Sequence, residues 1–148
     1  MKTETNTYFS AKKALIETYW ETREALNRQK DAISWEDREA KNAIYAQLEQ
    51  MTCPLTNGEI EAVRAWNPDA ETLVANDHLW TKDIHDFVAC LREAGVETFL
   101  FTDQSTALME SIHEFAKEGA RLEGPETFTT NDGWRGEERI HLALRFTL

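Results

Sequence analysis

Hydrophobic periodicity changes character at Gly95, and that change limits what the chain can fold into. Upstream, "TKDIHDFVACLREAG" places Ile84, Phe87, Val88 and Leu91 at i, i+3, i+4 and i+7, the spacing of one buried helix face. Thr81 is placed to cap that helix, and Gly95 to close it in the left-handed conformation. Downstream, "VETFLFT" is rich in β-branched and aromatic residues and predicts a largely buried strand. "STALMESIHEFAKEG" returns to the helical period, burying Leu108, Ile112 and Phe115 and ending at Gly119. "ARLEGPETFTT" reads as a broken strand, and its Gly124–Pro125 pair suits an edge position with a bulge. "RIHLALRFTL" alternates strictly: Ile140, Leu142, Leu144, Phe146 and Leu148 face one way, and His141, Ala143, Arg145 and Thr147 the other. A sheet with one covered and one wetter face gives that pattern. The ending is therefore β-α-β-β, its first two strands parallel through a right-handed crossover and its last two a hairpin.

The first half is helical in pattern. From Ser10, "SAKKALIETYWETREALNRQ" puts Leu15, Tyr19, Thr22 and Leu26 on one face, with Lys13–Glu17 and Glu24–Arg28 as opposite charges at i,i+4. "SWEDREAKNAIYAQLEQM" opens with Ser34 and Asp37, a relaxed capping box, and aligns Ile44, Leu48 and Met51. Together they predict an antiparallel helical hairpin turning near "KDAI", with Trp20 and Trp35 sealing it against the rest of the molecule. "TCPLTNGEIEAVRAWNPDAETLVAND" is the least regular region. A short helix there runs from Thr56 or Asn57 to Trp66 and ends at "WNPD", because the residue before Pro68 avoids the helical region. The fold class that follows is α+β in a single domain, residues 1–148: a helical hairpin over 1–52, a helical stretch over 53–95 and β-α-β-β over 96–148. The helical N-terminal half packs beside a small three-stranded sheet.

A chain of 148 residues with 41% hydrophobic and 29% charged residues can bury a core without disulfides or metal. Cys53 and Cys90 lie far apart and match no CxxC or zinc spacing, as expected of reduced thiols in a cytoplasmic protein. No apolar run approaches the roughly 18 residues of a membrane span, and "MKTETNTYFSAKK" lacks the apolar centre of a signal peptide. The net charge of −11 is uneven. Residues 1–52 hold nine acids and eight bases, residues 53–95 eight and three, and residues 96–148 ten and five. Direct binding to nucleic acid or an anionic membrane needs clustered Lys and Arg, so both are excluded as partners. A protein partner with a basic surface fits this balance; solubility alone is the other role such acidity plays.

The candidate sites are few. In "TDQSTA", Asp103, Ser105 and Thr106 stand where a strand ends and a helix begins. A phosphate loop would bring glycines and a base; this stretch has neither, and Asp103 would repel an anion. The residues read as helix-capping groups. Asp77, His78, His85 and Asp86 are poorly spaced for a metal, and His113 between Glu110 and Glu114 fits a solvated helix face. No catalytic residue, metal ligand or cofactor is assigned. Two surface features remain. Glu110, Glu114 and Glu118 form a row at i, i+4 and i+8, a spacing that destabilises a helix by a few tenths of a kcal/mol per pair; they either line a solvated face or meet Lys and Arg of a partner. In "TNDGWRGEER", turn formers put Trp134 and Arg135 at a loop tip. Both are hot-spot residue types. Trp134 either stands out for a partner or folds back over the sheet.

"CLREAGVETFLFTDQSTALMESIHEFAKEGARLEG" resembles a segment of small proteins carried by mobile elements of gut Firmicutes. The shared features are Gly95, the strand through Phe99 and Phe101, the run Asp103–Gln104–Ser105–Thr106, and Gly119, over about a quarter of the chain. The resemblance implies a bacterial or phage cytosolic setting and brings no activity with it. The function expected is a non-catalytic, acidic protein-binding module. Its most specific form is an inhibitor of a host nucleic-acid-binding defence enzyme, of the anti-restriction or anti-CRISPR kind. The alternatives are a small enzyme or metabolite-binding domain using the junction at Asp103, and a structural or accessory phage protein.

Overall fold

The structure is a computed structural model describing residues 1–148. The chain is α+β, a helical N-terminal half followed by a four-stranded mixed sheet with helices between the strands. It divides into two compact units, one of Met1–Phe9 with Thr56–Leu148 and one of Ser10–Leu55.

The second unit holds most of α1 (Thr3–Ala32) and α2 (Arg38–Gln50). Asp37 caps α2, its carboxylate accepting from Ala40 N at 3.1 Å. Ile44 is buried, and Leu48 and Met51 are half-buried, as the pattern predicts. The inward face of α1 is set differently. Ile16 is buried and Tyr19, Arg23 and Leu26 are half-buried, whereas Leu15 and Thr22 are exposed. Steps of three, four and three residues keep the first set on one narrow stripe. The two tryptophans expected to be covered are exposed: Trp20 by 42%, and Trp35, in the turn before α2, by 75%.

Helix α1 begins at Thr3 rather than Ser10, and its first turns belong to the other unit. The Thr5 hydroxyl donates to Ala94 O at 2.7 Å, and the Tyr8 hydroxyl to Glu93 Oε2 at 2.8 Å. Trp66 Nε1 donates to Asn6 Oδ1 at 2.8 Å, while Phe9 stacks on Trp66. Burial, reinforced by the bond to Glu93, pushes the Tyr8 phenol far above its ordinary value. Side-chain hydrogen bonds hold this segment, and its polar residues carry no apolar period to announce a helix.

Helix α3 (Asn57–Ala65) opens with a full capping box between Thr56 and Glu59. Strand β1 (Leu73–Ala75), absent from the sequence reading, follows. A 3-10 turn (Thr81–Asp83) leads into α4 (Ile84–Glu93), and no side chain caps either one, so Thr81 is not a cap. Ile84, Phe87, Val88 and Leu91 are fully buried, and Gly95 closes the helix at φ +75°. Strand β2 (Thr98–Phe101), helix α5 (Leu108–Lys117), and strands β3 (Arg121–Thr130) and β4 (Arg139–Thr147) complete the chain.

The sheet has four strands rather than three, in the order β1-β2-β4-β3. The parallel pair is β1 with β2, connected through α4. Strands β2 and β3 do run in the same direction, but β4 lies between them, antiparallel to both. Chemistry explains the exchange of places. Pro125 cannot donate to a ladder, which confines β3 to an edge, and the register slips between Leu122 and Gly124, the expected bulge. Phe115 of α5 lies 4.8–6.3 Å, ring to ring, from Phe146, Phe101, Phe99 and Phe87. This phenylalanine cluster is the core beneath α4 and α5. On the other sheet face, the Arg145 guanidinium forks onto the Glu126 carboxylate and donates to Thr98 Oγ1 at 3.1 Å.

Candidate functional site

Strand lengths create an overhang. β2 has four residues and ends opposite Leu144, at Phe101, while β4 has nine and β3 ten. Beyond that point β3 and β4 pair only with each other, Thr127 opposite Leu142 and Thr129 opposite Ile140. Leu142 and Ile140 share the face of Leu144 and Phe146, because side chains alternate along a strand. Phe146 meets the core, but Leu142 is 75% and Ile140 73% exposed. The expected covered face therefore ends halfway along β4.

The hairpin carries this overhang to a hydrogen-bonded tip. Gly133 N donates to Glu137 O at 3.0 Å and Gly136 N to Gly133 O at 3.0 Å. Arg135 takes a left-handed φ of 59° between them. The Thr130 hydroxyl donates to the Asp132 carboxylate and lies 2.8 Å from His141 Nε2, while the His141 ring stacks on Phe128. That hydroxyl holds the Asp132 carboxyl below its ordinary value. Of the two orientations open to Trp134, the structure takes the outward one. The ring is 76% exposed, and the Arg135 guanidinium lies 6.0 Å from its centroid.

At the same end of the sheet, the carboxyl ends of β1 and β2 open into a cleft of about 330 Å³. Asp77, Trp80 and Lys82 line it from the β1 side, and Asp103, Ser105 and Ser111 from the β2 side. Crevices at this place in parallel α/β arrangements are common ligand sites. Asp103 Oδ1 accepts from Ser105 N at 2.6 Å, and Ser105 Oγ from Ala107 N at 3.2 Å. The two side chains order the turn before α5, whose N-cap, Ala107, has no side-chain cap bond. Trp80 is 62% exposed, with the Lys82 ammonium 5.0 Å from its ring centroid, and Met109 at the start of α5 is 74% exposed. Thus Trp80, Met109, Trp134, Ile140 and Leu142 all lie toward one end of the sheet. Solitary exposed apolar residues are ordinary; five of this unit's six gathered at one end, with Leu122 the exception, are not.

The acid row is unevenly engaged. Glu118 lies 2.9 Å from His85 Nδ1 and its carbonyl accepts from Arg92 Nη2 at 2.6 Å; Glu114 pairs with Lys117 at 3.1 Å. Glu110, at the cleft end of α5, is exposed and in no ion pair. The structure therefore brings Glu110 to the same end as Trp134 and Arg135, and carries Glu118 to the opposite end of the helix. No three His, Cys, Asp or Glu side chains are grouped to hold a metal ion, and no helix is long and apolar enough to cross a membrane. Sequence reasoning missed Ile140, Leu142, Trp80, Met109 and Ser111. The alternation of β4 put Ile140 and Leu142 on the covered face and gave no sign of where the cover stops.

Fold and site together define a small α+β domain with an uncovered apolar end beside an acidic cleft. Residues 63–148, which hold all four strands, match the family described as a domain of unknown function, DUF7698, and the chain belongs to that family. No curated protein and no solved structure matches it.

Proposed function

We propose that the protein is a non-catalytic binding module that docks a protein partner with a basic surface at the overhanging hairpin and the adjoining cleft. The observation that carries this reading is the overhang: Trp134, Ile140 and Leu142 stand uncovered on a two-stranded ribbon that nothing else in its unit supports. Aromatic and aliphatic anchors within a polar rim are the anatomy of a protein interface. The net charge of −11 favours a basic partner and speeds its encounter. The most specific form of the proposal is an inhibitor, carried by a phage or mobile element, that occupies the basic nucleic-acid channel of a host defence enzyme. The resemblance to mobile-element proteins supports that setting. The alternative of a small enzyme or metabolite-binding domain draws on the same cleft, where Asp103 orders the turn before α5 through one of its two oxygens.

The test compares capture of a basic protein from bacterial lysate by the wild type, by Trp134→Ala and by Leu142→Thr. Each variant should melt with the wild type, since exposed substitutions shift stability by no more than about 0.5 kcal/mol. Trp134→Ala should weaken association by about 2 kcal/mol, near thirtyfold. Folded variants that capture the same protein undiminished would overturn the reading.

A further inference from the structure

We infer that the cleft at the carboxyl ends of β1 and β2 receives an arginine side chain of the partner. Two carboxylates, Asp77 and Asp103, and one ammonium, Lys82, are its charged lining, so a single cation neutralises it. Neither carboxylate is in an ion pair, and Asp103 accepts only the bond from Ser105 N.

Ser111 supplies an independent sign of a missing ligand. The residue is 1% exposed, yet its hydroxyl has no hydrogen-bond partner in the protein. No side-chain oxygen or nitrogen that is fully buried lacks a partner, so this hydroxyl must open into the cleft it lines. A hydroxyl open to the cleft but bonded to nothing in the protein is an acceptor that a donor entering the cleft can use.

Trp80 adds the third element. Its ring already attracts a cation, the Lys82 ammonium 5.0 Å from the centroid, and the side chain remains exposed to a further partner. With that point charge in place, a planar group able to stack fits better than a second ammonium. Guanidinium stacks on aromatic rings and carries five donors in a rigid fork. The lining offers acceptors to match those donors: the Asp77 and Asp103 carboxylates and the Ser105 and Ser111 hydroxyls. An anion is disfavoured by Asp77 and Asp103. The start of α5 is also partly spent, because Ala107 N and Leu108 N both bond to Ser105.

The inference rests on the reading of the protein as a binding module, and its test is separable from that reading. N-acetyl-L-arginine amide is titrated into the 148-residue protein and followed by NMR, with N-acetyl-L-citrulline amide as the neutral isostere and inorganic phosphate as the anion control. The arginine derivative should give saturable shifts at the Trp80 indole and at the amides of residues 77–82 and 103–111, and the citrulline derivative none. The double variant Asp77→Asn/Asp103→Asn keeps an acceptor for Ser105 N and should hold its fold while losing at least tenfold in affinity. Ser111→Ala should lose severalfold. No saturable response to arginine, an equal response to citrulline, saturation by phosphate instead, or an unchanged affinity in the double variant would each overturn the assignment. If the cleft fails while Trp134→Ala still abolishes capture, the arginine site falls and the hairpin surface stands.

Discussion

Replacing Gly58 with alanine adds one methyl group to α3, and the neighbouring helix decides the sign of its effect. In an exposed helix interior this change stabilises by about 1 kcal/mol, because alanine has less backbone freedom to lose. Gly58 is buried where α3 crosses the start of α4. A Cβ there would stand 2.4 Å from Asp83 O and 2.5 Å from Phe87 N, against an ordinary contact of 3.4–4 Å. Both are backbone atoms, so no side chain can swing aside. The helices would have to part by about 1 Å, in a core where gaps of that size already forfeit much of the contact energy. Overpacking of this kind costs roughly 1–3 kcal/mol and occasionally more. The tightness of two backbone contacts places this site at the upper end. Subtracting the propensity gain leaves a net loss of about 2 kcal/mol. For a chain of this size that corresponds to a fall of about 6 °C in Tm. Differential scanning calorimetry on the two proteins reads the value directly. A Tm equal to or above that of the wild type would refute the close crossing of α3 and α4.

Phe115 touches four other phenylalanine rings, so Phe115→Ala should cost about 3–5 kcal/mol in denaturant unfolding, whereas Phe115→Leu should cost markedly less. The hairpin tip has a pH dependence set by Asp132, whose carboxyl is depressed chiefly by the Thr130 hydroxyl. A depressed carboxyl contributes stability that is fully present above its unfolded value, near 3.8, and is lost as pH falls through the lower folded value. The carboxyl carbon-13 shift of Asp132 should therefore titrate with its midpoint below 3.8, and Thr130→Val should bring that midpoint back up. Glu110→Gln removes the unpaired acid of the row and should lower the on-rate of the partner and flatten its salt dependence. Glu114→Gln, at a site already paired with Lys117, should change it less.

The helices and the β3–β4 hairpin were legible because their signals are local. Ile84, Phe87, Val88 and Leu91 repeat at helical spacing, Pro68 marks the end of a short helix opening at Thr56 or Asn57, and Gly124–Pro125 marks an edge with a bulge. What escaped depends on partners distant in sequence. Strand β1 has three residues, too few to show a period, and exists because β2 pairs with it. The start of α1 is secured through Thr5 and Asn6, whose partners Ala94 and Trp66 lie 89 and 60 residues away. Strand order also turned on competition, since β4 offers a better central strand than one interrupted by Pro125. At the site, the turn placed Trp134 and Arg135, but alternation alone could not say where along β4 the cover stops. Ile140 and Leu142 follow the same rule as Phe146 and differ only in what lies above them. Ser111 gave no sign at all, because a serine inside a helical pattern is unremarkable until a cleft opens beside it.

Hydrogen exchange, compared between the free protein and its complex with the captured partner, locates the binding surface most directly. The account predicts new protection over residues 127–143 and 77–82, with little change in α1 and α2 beyond Ser10. Protection confined to those helices, where Leu15, Trp20 and Trp35 are also exposed, with the hairpin exchanging as it does in the free protein, would contradict it.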